Sequence, residues 1–204
     1  LGLENYRKSV SESKRAAILR AGRENFLKHG YSRAAMAEIA READVSTATL
    51  YKHFASKEEL FAAVVREAYG ELGGEFAEIP AGMSAEELMF RLAQNYIDIQ
   101  FGQSVNALMR VVIAEVPSAP QLARDMFENM VQTRYRDLER IFNTLIERGK
   151  LKPHDTHFGV RLIGGVIKEY FIWPSLFDPE FKAPANRDEI LREAIKTYMT
   201  LYGP

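Results

Sequence analysis

Residues 45–60 read VSTATLYKHFASKEEL, in which threonines, a tyrosine, a lysine and a histidine are packed between apolar anchors. At helical spacing Leu50 and Phe54 turn inward together, while Thr47, Ala48, Tyr51 and Lys52 share the opposite face. Ser46 stands where a side-chain oxygen caps a first turn. The outer face is small at its start and polar throughout, with His53 and Lys57 close behind. An ordinary solvated helix has this pattern too, except that Tyr51 sets a large aromatic on the solvent side.

Upstream, apolar residues recur at three and four (Met36, Ile39, Ala40, Ala43), so a helix at about 35–43 is joined to one at about 47–54 by only Asp44, Val45 and Ser46. Helices this short gain little by lying antiparallel. Crossing steeply over the preceding helix, as a helix-turn-helix, gives them a shared core. Asp44 holds the turn position where glycine is commonest, and Asp tolerates the left-handed conformation better than most residues. Small, hydroxylated residues at the start of the second helix suit the reading of base edges, with Tyr51, Lys52, His53 and Lys57 on flanking phosphates.

The same periodicity runs through the 204 residues and no alternating stretch competes with it, so the fold class is all-α. Further helices are expected at about 12–29, 57–75, 84–101, 104–115, 120–148, 156–175 and 187–202. Ser56 with Glu59, Ser84 with Glu87, Ser118 with Gln121 and Asn186 with Glu189 have capping-box spacing. Gly30 and Gly149 follow periodic stretches as helix-ending residues. The loop around Pro80 and Gly82 suggests a helix-turn-helix domain over 1–57, a linking helix at about 57–75 and a larger helical bundle over 76–204.

Net charge is −1, yet residues 1–57 hold eleven lysines and arginines against six acids. A basic N-terminal segment on an acidic body is the electrostatic footprint of a nucleic-acid binder. The absence of cysteine excludes disulfides and thiolate zinc sites and fits a cytoplasmic protein. No apolar run reaches the roughly 18 residues of a membrane span, and LGLENYRKSV lacks the apolar core of a signal peptide. The sequence has no glycine-rich phosphate loop, nucleophile elbow or HExxH set. His154 and His157 lie at helical spacing, but Asp155 between them reads as a helix cap. Neither a metal, a cofactor nor enzymatic activity is therefore expected.

The segment HGYSRAAMAEIAREADVSTATLYKHFASKEELFAAVV, residues 29–65, closely resembles the DNA-binding domain of the TetR family of transcriptional repressors. The matching order is Gly30-Tyr31, Met36, Ile39-Ala40, Ala43, Val45-Ser46, Thr49-Leu50-Tyr51, His53-Phe54 and Ser56-Lys57-Glu58. The resemblance implies a helix-turn-helix on three N-terminal helices, joined by a fourth to a helical ligand-binding and dimerisation domain. It also implies that Ser46, Thr47, Ala48 and Thr49 approach bases and phosphates of double-stranded DNA, and that Tyr51, His53 and Lys57 engage its backbone. Two positions depart from the pattern. Ala34-Ala35 stands where the family commonly opens the second helix on a Thr or Ser that caps it and meets a phosphate, and Asp44 replaces the turn glycine.

Beyond residue 80 the likeness rests on helix count and on RVVIAEVPSAPQLARDMFEN, residues 110–129. Aromatic and methionine faces follow: Phe90, Tyr96 and Phe101, then Met109, then Met126, Phe127 and Met130, then Phe158, Tyr170 and Trp173. They suit an adaptable apolar cavity, although residues at this spacing are more often plain core. Arg110, Glu115, Arg134 and Arg161 are candidates for a ligand's polar end, and the sequence does not choose among them. Wide apolar stripes over 156–175 and 187–202 imply a homodimer closed by four helices, which would set two recognition helices one DNA turn apart on a palindrome. The expected function is a ligand-responsive regulator, by family default a repressor, released from its operator by a small apolar or amphipathic effector. The rivals are a helical small-molecule-binding protein without specific DNA binding and a helical enzyme with an unmarked site.

Overall fold

The computed structural model describes residues 2–70, 79–80, 82–102 and 104–204, with side chains from Asn5 onward. Among these residues the regular structure is helical throughout: α1 (Gly2–Arg33), α2 (Met36–Glu42), α3 (Thr47–His53), α4 (Lys57–Tyr69), α5 (Ala85–Gly102), α6 (Val105–Ala114), α7 (Pro120–Met126), α8 (Thr133–Glu147), α9 (Thr156–Ile167), α10 (Trp173–Phe177) and α11 (Arg187–Tyr202). The end of the expected linking helix, 71–75, and the first residues of the expected bundle, 76–78, lie outside the described residues. The chain forms two compact units, one of Leu1–Ala68 with Ala107–Met126, the other of Tyr69–Asn106 with Phe127–Pro204.

In the first unit α2 packs on α1 and α3 on α2. Phe26, Leu50, Phe54, Leu60 and Phe61 are all but fully buried, each side chain contributing about 1.5–3 kcal/mol of transfer free energy. Phe26, Tyr31 and Phe61 form an aromatic cluster, with Phe26 edge-on to Phe61 at 4.8 Å between ring centroids. The turn between α2 and α3 closes as a Schellman motif: the N–H of Val45 donates to Ala40 O at 3.0 Å and that of Asp44 to Arg41 O at 3.2 Å. Asp44 has φ 54°, the left-handed conformation the sequence demanded there. The helix expected at 12–29 runs from Gly2 to Arg33, because its exposed charged first turns carry no apolar period, and it is kinked where Gly30 has φ 75° and ψ 168°, backbone essentially reserved for glycine.

The second unit is built on α5, α8, α9 and α11, whose apolar faces converge on Leu88, Ile97, Phe142, Leu145, Phe171 and Tyr198. Arg187 pairs with Asp98 at 2.8 Å, linking α11 to α5, and Arg161 pairs with Glu139 at 2.7 Å, linking α9 to α8. His154 meets the Tyr198 hydroxyl at 2.5 Å while His157 faces Glu139 at 3.0 Å, so the two histidines turn to different partners.

Apart from α1, and from α4, which ends at Tyr69 where Gly70 has φ 64° rather than running on toward 75, the helix boundaries follow the sequence reading, and Ser46, Ser56, Ser84 and Asp155 cap as their spacing suggests. Two caps do not form. α7 starts at Pro120, which puts Ser118 one residue outside the cap position, where its hydroxyl donates to the Glu115 carboxylate at 2.6 Å, and Asn186 makes no side-chain cap. The helices expected at 120–148 and 156–175 each contain a π-helical segment, Phe127–Gln132 and Lys168–Ile172.

Candidate nucleic-acid interface

The local chemistry of α3 fixes what it presents. Ser46 Oγ accepts from the Thr49 N–H at 3.1 Å and shares a second hydrogen bond with Thr49 Oγ1 at 2.8 Å. The Thr49 hydroxyl is therefore tied back into the cap and half-buried, whereas Thr47, Ala48 and Lys52 are exposed and Tyr51 is 48% exposed. Leu50 and Phe54, buried on the inner side, hold the helix so that this small-to-aromatic face points away from the core.

His53 sits half-exposed at the end of α3. Burial, and then the cations Arg15, Lys52 and Lys14, lower its pKa below the usual 6.5. Arg15 also lies over the Phe54 ring at 5.1 Å. A basic patch thus joins α1 to α3. Lys14 and Arg15 were invisible as site residues in the sequence, because only the fold carries them across about 40 positions to α3; the general excess of cations was the one signal.

Lys57 does not simply point to solvent. Its ammonium donates to Ser32 O and Ala34 O, both at 3.2 Å, and stands 4.7 Å from the centre of the Tyr31 ring, while the Tyr31 hydroxyl donates to Glu58 at 2.7 Å. It binds the start of α4 to the end of α1, leaving one of three donors free. Ala34 is 5% exposed, so only Ala35, the uncapped residue before α2, marks a missing outward hydroxyl.

A second polar cluster anchors this unit. The Glu115 carboxylate, just past α6, accepts from Ser32 N at 3.1 Å, Ser32 Oγ at 2.6 Å and Ser118 Oγ at 2.6 Å. Burial pushes its pKa up, but the hydrogen bonds from Ser118 and Ser32 outweigh it and hold the carboxyl below the usual 4.5. Between α1 and α6 lies an open cleft of about 300 Å³, lined by Leu27, Gly30, Ala107, Arg110, Val111, Ala114 and Glu115.

The residues expected to line an effector cavity differ in burial and in the unit that carries them. Phe90 is buried in the core of the second unit, with Tyr96 and Phe101 packed against that core and Met130 half-buried. Met109 and Met126 belong to the first unit. Phe127, Phe158, Tyr170 and Trp173 are each about half exposed, and Leu162 and Phe177 continue the outer stripe of α9 and α10. Among the described residues no group of three or more metal-binding side chains comes together, and no helix is long and apolar enough to cross a membrane.

Two family models match the chain: the N-terminal model of bacterial regulatory proteins of the tetR family over residues 18–64, and the C-terminal domain of AefR-like transcriptional repressors over residues 87–204. The transcriptional regulator UidR of Escherichia coli K12 is 30% identical over 139 residues, 68% of this chain and 69% of its own. The transcriptional activator FasR of Mycolicibacterium smegmatis is 46% identical over 55 residues, 27% of this chain and 25% of its own. A TetR-family regulator from Mesorhizobium loti superposes with a TM-score of 0.82 at 24% identity, over 95% of this chain and 98% of that one. The chain belongs to the TetR family of ligand-responsive, DNA-binding transcriptional regulators.

Proposed function

We propose that the protein binds a palindromic operator as a homodimer in the cytoplasm and lets go of it when a small apolar or amphipathic effector binds. The observation that carries this reading is the outer face of α3, where Thr47, Ala48, Tyr51 and Lys52 stand exposed beside the basic patch of Lys14, Arg15 and His53. In the proposed complex Ser46 to Thr49 enter the major groove, and Tyr51, Lys52, His53 and the free donor of Lys57 meet phosphates. Residues 1–57 serve as the DNA-binding domain, about 57–75 as its link, and 76–204 as the effector-binding and dimerising part. Phe158, Leu162, Tyr170, Trp173 and Phe177, five large apolar side chains left exposed between residues 158 and 177, support dimerisation.

Repression is favoured because the C-terminal match is to a repressor domain, whereas the likeness to the activator FasR covers only a quarter of the chain. In the proposed switch, α6 carries the signal: its first residues belong to the second unit, and its end is clamped through Glu115 to Ser32, next to the kink at Gly30. Fluorescence anisotropy with palindromes from the gene's own upstream region tests the reading. Binding at least about 10³-fold tighter than to random duplex, weakening steeply with salt, is expected; equal affinity for both would overturn it in favour of a ligand carrier.

A further inference from the structure

Four charged residues of the helical bundle were open to a role at a ligand's polar end, and three are occupied. Glu115 is held by Ser32 and Ser118, Arg161 pairs with Glu139, and Arg110 has a partner of its own. Arg134 is different. It is only 9% exposed, yet its Nε and one terminal nitrogen, Nη2, have no hydrogen-bond partner. Its neighbours are the faces of Tyr96 and Tyr69, whose ring centres lie 5.2 Å and 5.8 Å from the guanidinium carbon. No carboxylate among the described residues forms an ion pair with it, and Asp137, one turn along α8, is taken by Arg140. Burial raises the pKa of both tyrosines, so neither phenol supplies a compensating negative charge.

A buried cation without a counter-charge is strongly unfavourable and persists where something else compensates it. Burial accordingly lowers the pKa of Arg134, and the surrounding groups offset this only in part. Both unpartnered nitrogens belong to one guanidinium edge. Its two parallel N–H groups match the two oxygens of a single carboxylate. The Gln100 carboxamide, 2% exposed, lies against the hydroxyls of the same Tyr69 and Tyr96, and neither its nitrogen nor its oxygen makes a hydrogen bond of good geometry. Arg134 also lies two residues past the π-helical segment Phe127–Gln132, a distortion that recurs at functional sites.

We propose that Arg134 is the anion-binding group of the effector site, and that the effector is a carboxylate with an apolar or aromatic body lying against Tyr69 and Tyr96. This inference rests on the regulator reading above. Arg134 receives the carboxylate edge-on, Gln100 adds a donor, and the aromatic faces exclude water from the ion pair.

The test uses the full-length protein with 4-phenylbutyrate and decanoate as probes, each beside its primary amide, read by calorimetry and by release of the operator complex. The acids are expected to bind and the amides not. Arg134→Gln should weaken acid binding on the order of 100-fold, and Arg134→Lys, which keeps the charge but loses the paired donors, should weaken it less. Without ligand, Arg134→Met should melt no lower than wild type, because it removes an uncompensated charge. Amides binding as well as acids, unchanged acid binding in Arg134→Gln, no binding of either acid, or a lower melting temperature for Arg134→Met would each overturn the proposal. If an acid binds through Arg134 but leaves the operator complex intact, the anion site stands and the effector reading fails. If acid and amide release the operator equally, the reverse holds.

Discussion

Replacing Glu115 by alanine removes a carboxylate that accepts three hydrogen bonds, two of them at 2.6 Å, from Ser32 and Ser118. A hydrogen bond to a charged group contributes about 1.5–3 kcal/mol, but the two hydroxyls can turn to water once the acid is gone. The Ser32 N–H loses its partner outright. We therefore expect a loss of about 3 kcal/mol, and about half that for Glu115→Gln, whose single carbonyl keeps part of the set. In thermal unfolding at fixed protein concentration this corresponds to a drop of roughly 6–12 °C for a chain of this size. The effect has a pH signature. The folded carboxyl titrates below the ordinary 4.5, so its stabilisation is complete above that value and is lost as the pH falls through the folded pKa. The gap between wild type and Glu115→Gln should be full at neutral pH and close in acid. Melting curves for both variants within 1 °C of wild type at neutral pH would refute the clamp.

Four further outcomes follow from the same geometry. Tyr51→Ala should lower affinity for all duplexes, whereas Thr47→Ala should change preference between sites by about 1–3 kcal/mol, both read by anisotropy across a panel of operator variants. Burial and nearby cations lower the pKa of His53 in the free protein, and a phosphate would favour its charged form; affinity should therefore rise as the pH falls, and His53→Gln should remove that dependence. Asp44→Gly relieves a left-handed Asp and should stabilise the protein by up to about 1 kcal/mol in denaturant unfolding, with a gain in DNA affinity at low salt as an acid is removed. Phe158→Glu combined with Trp173→Glu should give a monomer in light scattering at micromolar concentration, where the wild type is expected to run as the proposed dimer.

Local structure was the legible part. Ser46, Asp44 and Gly149 announced their conformations because capping and left-handed turns depend on residues within a few positions. Apolar periodicity located α2 to α11 for the same reason. The exact first residue of a helix and the pull of groups elsewhere in the chain were not legible: Ser118 has the spacing of a cap, but α7 starts two residues later, at Pro120. Lys57 looks like a free phosphate contact until Ser32 at the end of α1 and Ala34 just past it supply two carbonyls. Phe158, Tyr170 and Trp173 have the periodicity of core residues, and nothing local separates a face meant for a helix of the same chain from one left at the surface. Arg134 was one of four equal candidates, since neither its burial nor the lack of a carboxylate partner is written near position 134.

Hydroxyl-radical footprinting of the full-length protein on its tightest-binding duplex tests the central claim most directly. Two protected patches related by a dyad, with centres about 34–36 Å apart, should appear and vanish together when Thr47 and Tyr51 are replaced. A single unsymmetric patch, or protection that survives both substitutions, would contradict an operator read by paired copies of α3.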